Sequence, residues 1–229
     1  MIKKLSIATV TFFVFVLFYL GTAYFWAYSP SETALKSYEN KNNQKLQLTK
    51  AQVSMLLKIE DPSFWKNKGI DISHNGQGKT TMTQSVVPLL LYNTELSGWR
   101  ANLQTVYSSL WPKFKKIDLG RDVMALAVSK KIHKDKILKI FAEQVYLGYL
   151  DNKPVFGISQ ASQKYFNQEV SKLSIEDFAG LVGMLKSPDH YSPINNKSAF
   201  NERKSRVLKV INGSCAPSGL FDTDYSSCS

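Results

Sequence analysis

The chain has 229 residues, 44% of them apolar and 21% charged, with 29 Lys and Arg against 18 Asp and Glu. That much apolar mass excludes a disordered chain and suits one domain with an appendage. Two cysteines exclude a disulfide-rich scaffold and a Cys-rich zinc module, and a net charge of +11 calls for an anionic partner: nucleic acid, lipid head groups or a phosphorylated substrate.

No charged residue lies between Leu5 and Ser31. About 20 apolar residues cross a bilayer core, so residues 5–28 are expected to span a membrane. Lys3 and Lys4 precede the span, which puts residues 1–4 in the cytoplasm and everything from Glu32 outside. A cleaved signal peptide is the competing reading, but the stretch is too long and Ala27-x-Ser29 is a weak cleavage site. Tyr24, Trp26 and Tyr28 are expected in an interfacial aromatic belt. An outward domain is separated from nucleic acid, leaving lipid head groups and lipid phosphates as the anions.

Residues 29–48 are polar and read as a tether or a loosely packed helix. Thr49 with Gln52 predicts a capping box opening the helix AQVSMLLKIE, which runs into Asp61-Pro62. Residues 66–79 read as a loop, and 80–92 as a helix that Pro88 kinks or ends. Residues 99–116 are aromatic and basic together. A helical pattern covers 121–147, with Val123, Leu126, Ala127, Ile137, Ile140, Phe141 and Val145 as core candidates. Helices over 157–166, 174–186 and 198–212 follow; Ser174 caps the second and Gly213 ends the third. Residues 213–229 read as a tail, where Cys215 and Cys228 either pair or stay free. Strand signals are few, so the fold class is mainly α, with the working domain at 49–212.

Three clusters carry chemistry. Glu60-Asp61 at a helix end beside a Gly-rich loop suits a general base at the lip of a cleft; taken alone, a solvated helix end is the commoner meaning. Gly78-Lys79-Thr80-Thr81-Met82-Thr83-Gln84 sets hydrogen-bonding groups at a helix start, where anions and polar sugars are attracted, although ordinary capping also explains them. It is no nucleotide loop, because position 73 is Ser73 rather than glycine. The stretch 100–139 holds ten Lys and Arg against three Asp; it reads as a solvated face, as a binding surface for anionic lipid, or as a stabiliser of a leaving diphosphate.

In order, these clusters resemble the peptidoglycan glycosyltransferases of family 51. Glu60-Asp61-x-x-Phe64-x-x-Asn67-x-Gly69-x-Asp71 is similar to EDxxFxxHxGxD, and Gly78-x-Thr80-Thr81-Met82-Thr83-Gln84-Ser85 to GxSTITQQ. Lys134 through Gly148 resembles SKxxILxxYLNxxYLG. Gly157-Ile158-x-x-Ala161-x-x-x-Tyr165-Phe166 and Ser187-Pro188-x-x-Tyr191-Ser192-Pro193 complete the series, which spans about residues 50–210. The resemblance implies a lysozyme-like fold behind one transmembrane helix in a bacterial inner membrane, polymerising lipid II onto a nascent glycan strand with inversion. It implies Glu60 as base with Asp122 as second carboxylate. It also implies substrate contacts from Asp61, Phe64, Lys79, Thr80, Thr81, Thr83, Gln84, Ser85, Lys116, Arg121 and Lys134. A divalent cation (Mg or Mn) is implied without a recognisable binding motif, and penicillin-binding transpeptidases are implied as partners.

The chain departs from the pattern at Asn67 (for His), Ser85 (for Gln), Pro88 (for Lys) and Arg121 (for the second Glu, with Asp122 adjacent). Three readings therefore stand: a glycan polymerase, a degenerate relative that binds lipid-linked precursor or cell-wall proteins, and a glycan-cleaving enzyme, which hydrolysis by paired carboxylates disfavours. Glu60 is expected to line the largest cleft, facing Thr83, Gln84 and the start of the 121–141 helix. Leu90, Leu91, Trp99, Leu110 and Trp111 are expected on an exposed apolar patch, about half of them alternatively in the core.

Overall fold

The structure, a computed structural model, describes residues 2–42, 46–110 and 119–229, apart from the side chains of residues 2–6 and Leu110. Lys116 and Trp111 lie outside the described residues. Helix α1 (Ile2–Tyr28) contains a stretch, Ile7–Tyr28, long and apolar enough to cross a membrane. Phe12, Phe15 and Phe18 stand exposed along it. Its last turns belong to the domain instead. Ala23 and Ala27, four apart on one face, let α6 (Leu119–Lys131) approach closely. Between them Trp26 is fully buried and donates its indole N–H to the Arg100 carbonyl at 2.9 Å. A buried indole needs such a partner, and this one holds Trp26 in the core rather than in an interfacial belt.

Helix α2 (Ser31–Lys41) follows after a two-residue break. It is docked rather than a tether, because its charges meet partners on α6 and on α7 (Lys134–Gln144). Glu32 pairs with Lys131 at 3.0 Å, Glu39 pairs with Lys136, and the Tyr38 hydroxyl donates to Glu143. Helix α3 (Lys50–Glu60) opens on the expected Thr49–Gln52 box and buries Met55, Leu56, Leu57 and Ile59. A second box, Thr81 with Gln84, opens α4 (Met82–Val87). Pro88 has no N–H to continue the ladder, and the backbone widens into a π-helical turn, Pro88–Tyr92. Leu90 and Leu91 on that turn are buried, so they belong to the core and not to an exposed patch. Trp99, which begins α5 (Trp99–Leu110), is 55% exposed.

The helical pattern over 121–147 is two helices and a strand. α6 and α7 are separated at Ile132-His133, with Leu126 facing outward and Met124, Ala125 and Val128 inward. Strand β1 (Tyr146–Leu150) then pairs antiparallel with β2 (Lys153–Phe156) through Asp151-Asn152, both at positive φ, the turn that matches hairpin twist. After α8 (Ile158–Phe166), helices α9 (Ile175–Met184) and α10 (Lys197–Asn212) pack together and against α3. Residues 213–229 are no free tail. Cys215 and Cys228 are disulfide-bonded. The N–H groups of Gly76 and Gly78 donate to the carbonyls of Gly219 and Leu220 at 2.8 and 2.9 Å. Tyr225 is buried with its hydroxyl 3.3 Å from the Ile59 carbonyl.

Candidate active site

The site starts where α3 stops. Glu60 is its last residue, and Asp61 leaves the helix with φ −158°. The two adjacent carboxylates therefore diverge: Asp61 turns into the protein and is fully buried, whereas Glu60 turns into a cavity of about 350 Å³. Burial pushes the Glu60 carboxyl up to about 7; the charge of Arg203 opposes this and that of Asp61 adds to it. Glu60, Lys79, Thr80, Thr81 and Ser85 line the cavity together with Gln77, Lys186, Arg203, Thr223 and Tyr225. It is not the largest depression. One of about 630 Å³ lies beside Gln144, Phe156 and Gln160. The cavity at Glu60 is narrowed by the docked C-terminal segment, which contributes Thr223 and Tyr225 to its wall.

Behind that wall lies a second cluster, organised by Asn67. Its Nδ2 donates to Asp61 at 2.7 Å and to Ser63 at 3.0 Å. Its Oδ1 accepts from Lys134 at 2.9 Å and from the Gly69 N–H at 3.0 Å. An uncharged amide can donate to a carboxylate and accept from an ammonium at once, which is what this position requires. Asp61 also accepts the Met82 N–H at 3.0 Å, so it closes the first turn of α4. Burial raises the Asp61 pKa against the pull of that N–H and of Lys134. Burial lowers the Lys134 pKa against the pull of Asp61. The Lys134 ammonium reaches Thr83 at 3.4 Å and sits 4.7 Å from the centre of the Phe64 ring.

The α4 start is fastened on its other side. Thr81 donates to the Gly69 carbonyl at 2.7 Å, and Gln84 donates to Asp122 at 2.5 Å. Gly69 holds φ +108°, with its Cα so close to α6 that a Cβ would lie 2.5 Å from the Ala125 carbonyl oxygen.

The expected site residues thus divide. Glu60, Lys79, Thr80, Thr81 and Ser85 meet in the cavity. Asp61, Phe64, Thr83, Gln84, Asp122 and Lys134 form the layer that fixes α4, and Thr83 and Gln84 are buried there rather than facing Glu60. Arg121 stands beside Asp122 in the first turns of α6. Lys116 falls outside the described residues. Among the described residues no three His, Cys, Asp or Glu side chains come together as a metal site. Sequence reasoning missed Gln77, Lys186, Arg203 and Tyr225. Arg203 carried a readable signal: it shares one face of α10 with Phe200, Val207 and Val210, a charge in a core row.

A mainly helical, lysozyme-like domain with a glutamate-lined cleft, behind an N-terminal apolar helix, is the class of fold the structure defines. Residues 31–212 match the model of the Transglycosylase family, and the chain belongs to that family. The match begins at the first residue of α2, in agreement with the docking of that helix. The chain is 32% identical over 175 residues to penicillin-binding protein 1B of Buchnera aphidicola subsp. Baizongia pistaciae, covering 71% of this chain and 21% of the relative. It is 30% identical over 172 residues to penicillin-binding protein 1B of Escherichia coli K12, covering 69% and 18%. It is 31% identical over 171 residues to penicillin-binding protein 2a of Streptococcus pneumoniae D39, covering 71% and 20%. The chain therefore spans about a fifth of the length of these relatives.

Proposed function

We propose that this protein is a peptidoglycan glycosyltransferase that polymerises lipid II into glycan strands at the outer face of a bacterial inner membrane. One observation carries the reading: within a transglycosylase-family domain, a largely buried glutamate faces a cavity lined by cations. A carboxylate held near 7 is matched to proton abstraction at neutral pH. Glu60 takes the proton of the acceptor sugar 4-hydroxyl, that oxygen bonds to C1 of the growing strand, and the bond from C1 to the lipid diphosphate breaks with inversion. Lys79, Lys186 and Arg203 offset the negative charge gathered in the cavity. Asp122 acts through Gln84 as a positioning residue, since its carboxylate holds the amide that caps Thr81.

Asp61 and Asp71 accept hydrogen bonds from internal donors, and among the described residues no three His, Cys, Asp or Glu side chains gather that would hold the divalent cation (Mg or Mn) the reading allows. Helix α1 supports membrane attachment by its length and apolarity. Penicillin-binding transpeptidases, which would crosslink the product, are the partners proposed with this reading. The test is incubation of the detergent-solubilised chain with labelled lipid II. Glycan polymer from the wild type and none from Glu60→Gln supports the reading. Retention of lipid II without polymer would instead favour a binding-only relative, and soluble fragments from finished peptidoglycan a hydrolase.

A further inference from the structure

Two side chains in the Glu60 cavity carry buried polar atoms that have no hydrogen-bond partner. Gln77 is 9% exposed, and its Nε2 and Oε1 are both buried and unbonded. Arg203 is 2% exposed; its Nε lies 3.3 Å from the Gly183 carbonyl, while Nη1 is buried and unbonded. Native proteins seldom leave such groups unpaired, and a buried guanidinium without a direct ion pair is costlier still. No ion pair within 4 Å joins Arg203 to Glu60 among the described residues.

The arrangement is built, not incidental. Gly76 and Gly78 flank Gln77 at φ +78° and +77°, and the C-terminal segment pins both through their N–H groups. Tyr225 of that segment lies 4.4 Å over the Arg203 guanidinium. Gly183 leaves room for the Arg203 stem, which a Cβ there would meet at 3.1 Å. Lys186 lines the same wall, bonded to Thr223.

We propose that Gln77, Lys186 and Arg203 form a substrate subsite for an oxyanion, with the Gln77 amide pairing a neighbouring polar group. The inference rests on the polymerase reading only for the identity of the substrate. Lipid II offers two oxyanions, its diphosphate and the carboxylates of its stem peptide, and the experiment separates them.

Inorganic pyrophosphate and a soluble stem pentapeptide are titrated by calorimetry into the detergent-solubilised full chain and into Gln77→Ala. The amide has no internal bond to lose, so the variant keeps the wild-type melting temperature. Whichever probe binds the wild type identifies the oxyanion, and binding weakens about tenfold in the variant. With lipid II, KM rises by a similar factor while kcat changes less than about twofold. Arg203→Lys, which keeps the charge and loses the fork, weakens the same probe. The proposal is overturned if neither probe binds the wild type, if Gln77→Ala binds them equally well, or if that variant melts several degrees lower. Gln77-dependent binding by a wild type that makes no polymer would sink the polymerase reading and leave the subsite standing. Polymer formation with Gln77-independent binding would do the reverse.

Discussion

Glu60→Gln should abolish polymerisation and, at the same time, stabilise the protein at alkaline pH. The Glu60 carboxyl rises from 4.5 to about 7 on folding, chiefly because burial disfavours its charged form. The folded chain therefore holds this proton more tightly than the unfolded chain. Between about pH 4.5 and 7 unfolding releases it, so wild-type stability falls as pH rises through that window. Each pKa unit corresponds to about 1.4 kcal/mol, which makes the full penalty about 3 kcal/mol above pH 7. The opposing pull of Arg203 is already contained in that value. Glutamine has the same shape and no proton to lose. For a chain of this size, about 3 kcal/mol corresponds to a melting temperature roughly 6–12 °C above the wild type at pH 8.5, with the gap shrinking to within about 2 °C near pH 4.5. Thermal denaturation of both detergent-solubilised proteins across this range measures it. A gap that does not change with pH, or a variant less stable than the wild type at pH 8.5, would refute the placement of a buried, proton-hungry carboxyl in this cleft. Wild-type polymerisation should rise with pH through about 7, as a base that must be ionised requires.

Gly69→Ala should lose about 2–4 kcal/mol in urea denaturation, because its φ of +108° strains a side chain and the new Cβ meets the Ala125 carbonyl at 2.5 Å. Thr81→Val, close in shape, removes the hydroxyl that accepts from the Gln84 N–H and donates to the Gly69 carbonyl; about 1–2 kcal/mol is the expected loss, with polymerisation falling further than stability because α4 carries the cavity wall. Replacing Cys215 and Cys228 together by Ser opens a bridge between positions 13 apart. About 3 kcal/mol of stability should go, and the KM for lipid II should rise as Thr223 and Tyr225 leave the wall, with kcat moved less; unchanged lipid II kinetics would show that the segment plays no part in the site.

How much of this was legible depended on whether the cause was local. The two capping boxes were legible because Thr49–Gln52 and Thr81–Gln84 are contacts three residues apart in the chain. The long apolar helix α1 was legible because composition over about 20 residues marks it. The docking of α2 was not, since its polar surface is satisfied by Lys131, Lys136 and Glu143, more than 90 positions away. For the same reason Trp26 passed for a belt residue: only the fold brings the Arg100 carbonyl to its indole. The hairpin was hidden because the helical pattern read over 121–147 runs into its first strand, and its turn signal is only the short Asp151-Asn152 pair. The C-terminal wall was the largest omission. Residues 213–229 are polar and irregular in sequence, and their order comes from a disulfide and from hydrogen bonds to a loop more than 130 positions earlier.

The departures from the family motifs acquire a physical sense in this arrangement. Pro88, where the family has a lysine, directs the backbone into the π-helical turn and brings no charge; the cavity takes its cations from Lys79, Lys186 and Arg203 instead. Arg121, where the family has a second glutamate, is followed by Asp122, whose carboxylate is committed to Gln84 and contributes no wall to the Glu60 cavity. Asn67 in place of histidine bridges Asp61 and Lys134 with no proton of its own to lose at neutral pH. The layer behind the cavity is therefore insensitive to pH at that position, and under the proposed reading Glu60, which ionises near 7, is the group that sets the working state of the site. The pH dependence of polymerisation should accordingly follow one ionisation. Asn67→His would add a second one by placing a titrating ring between a buried carboxylate and a buried ammonium. A single-step pH profile in the wild type that becomes two-step in Asn67→His is the expected result; a two-step profile in the wild type would mean that another group shares the work assigned here to Glu60.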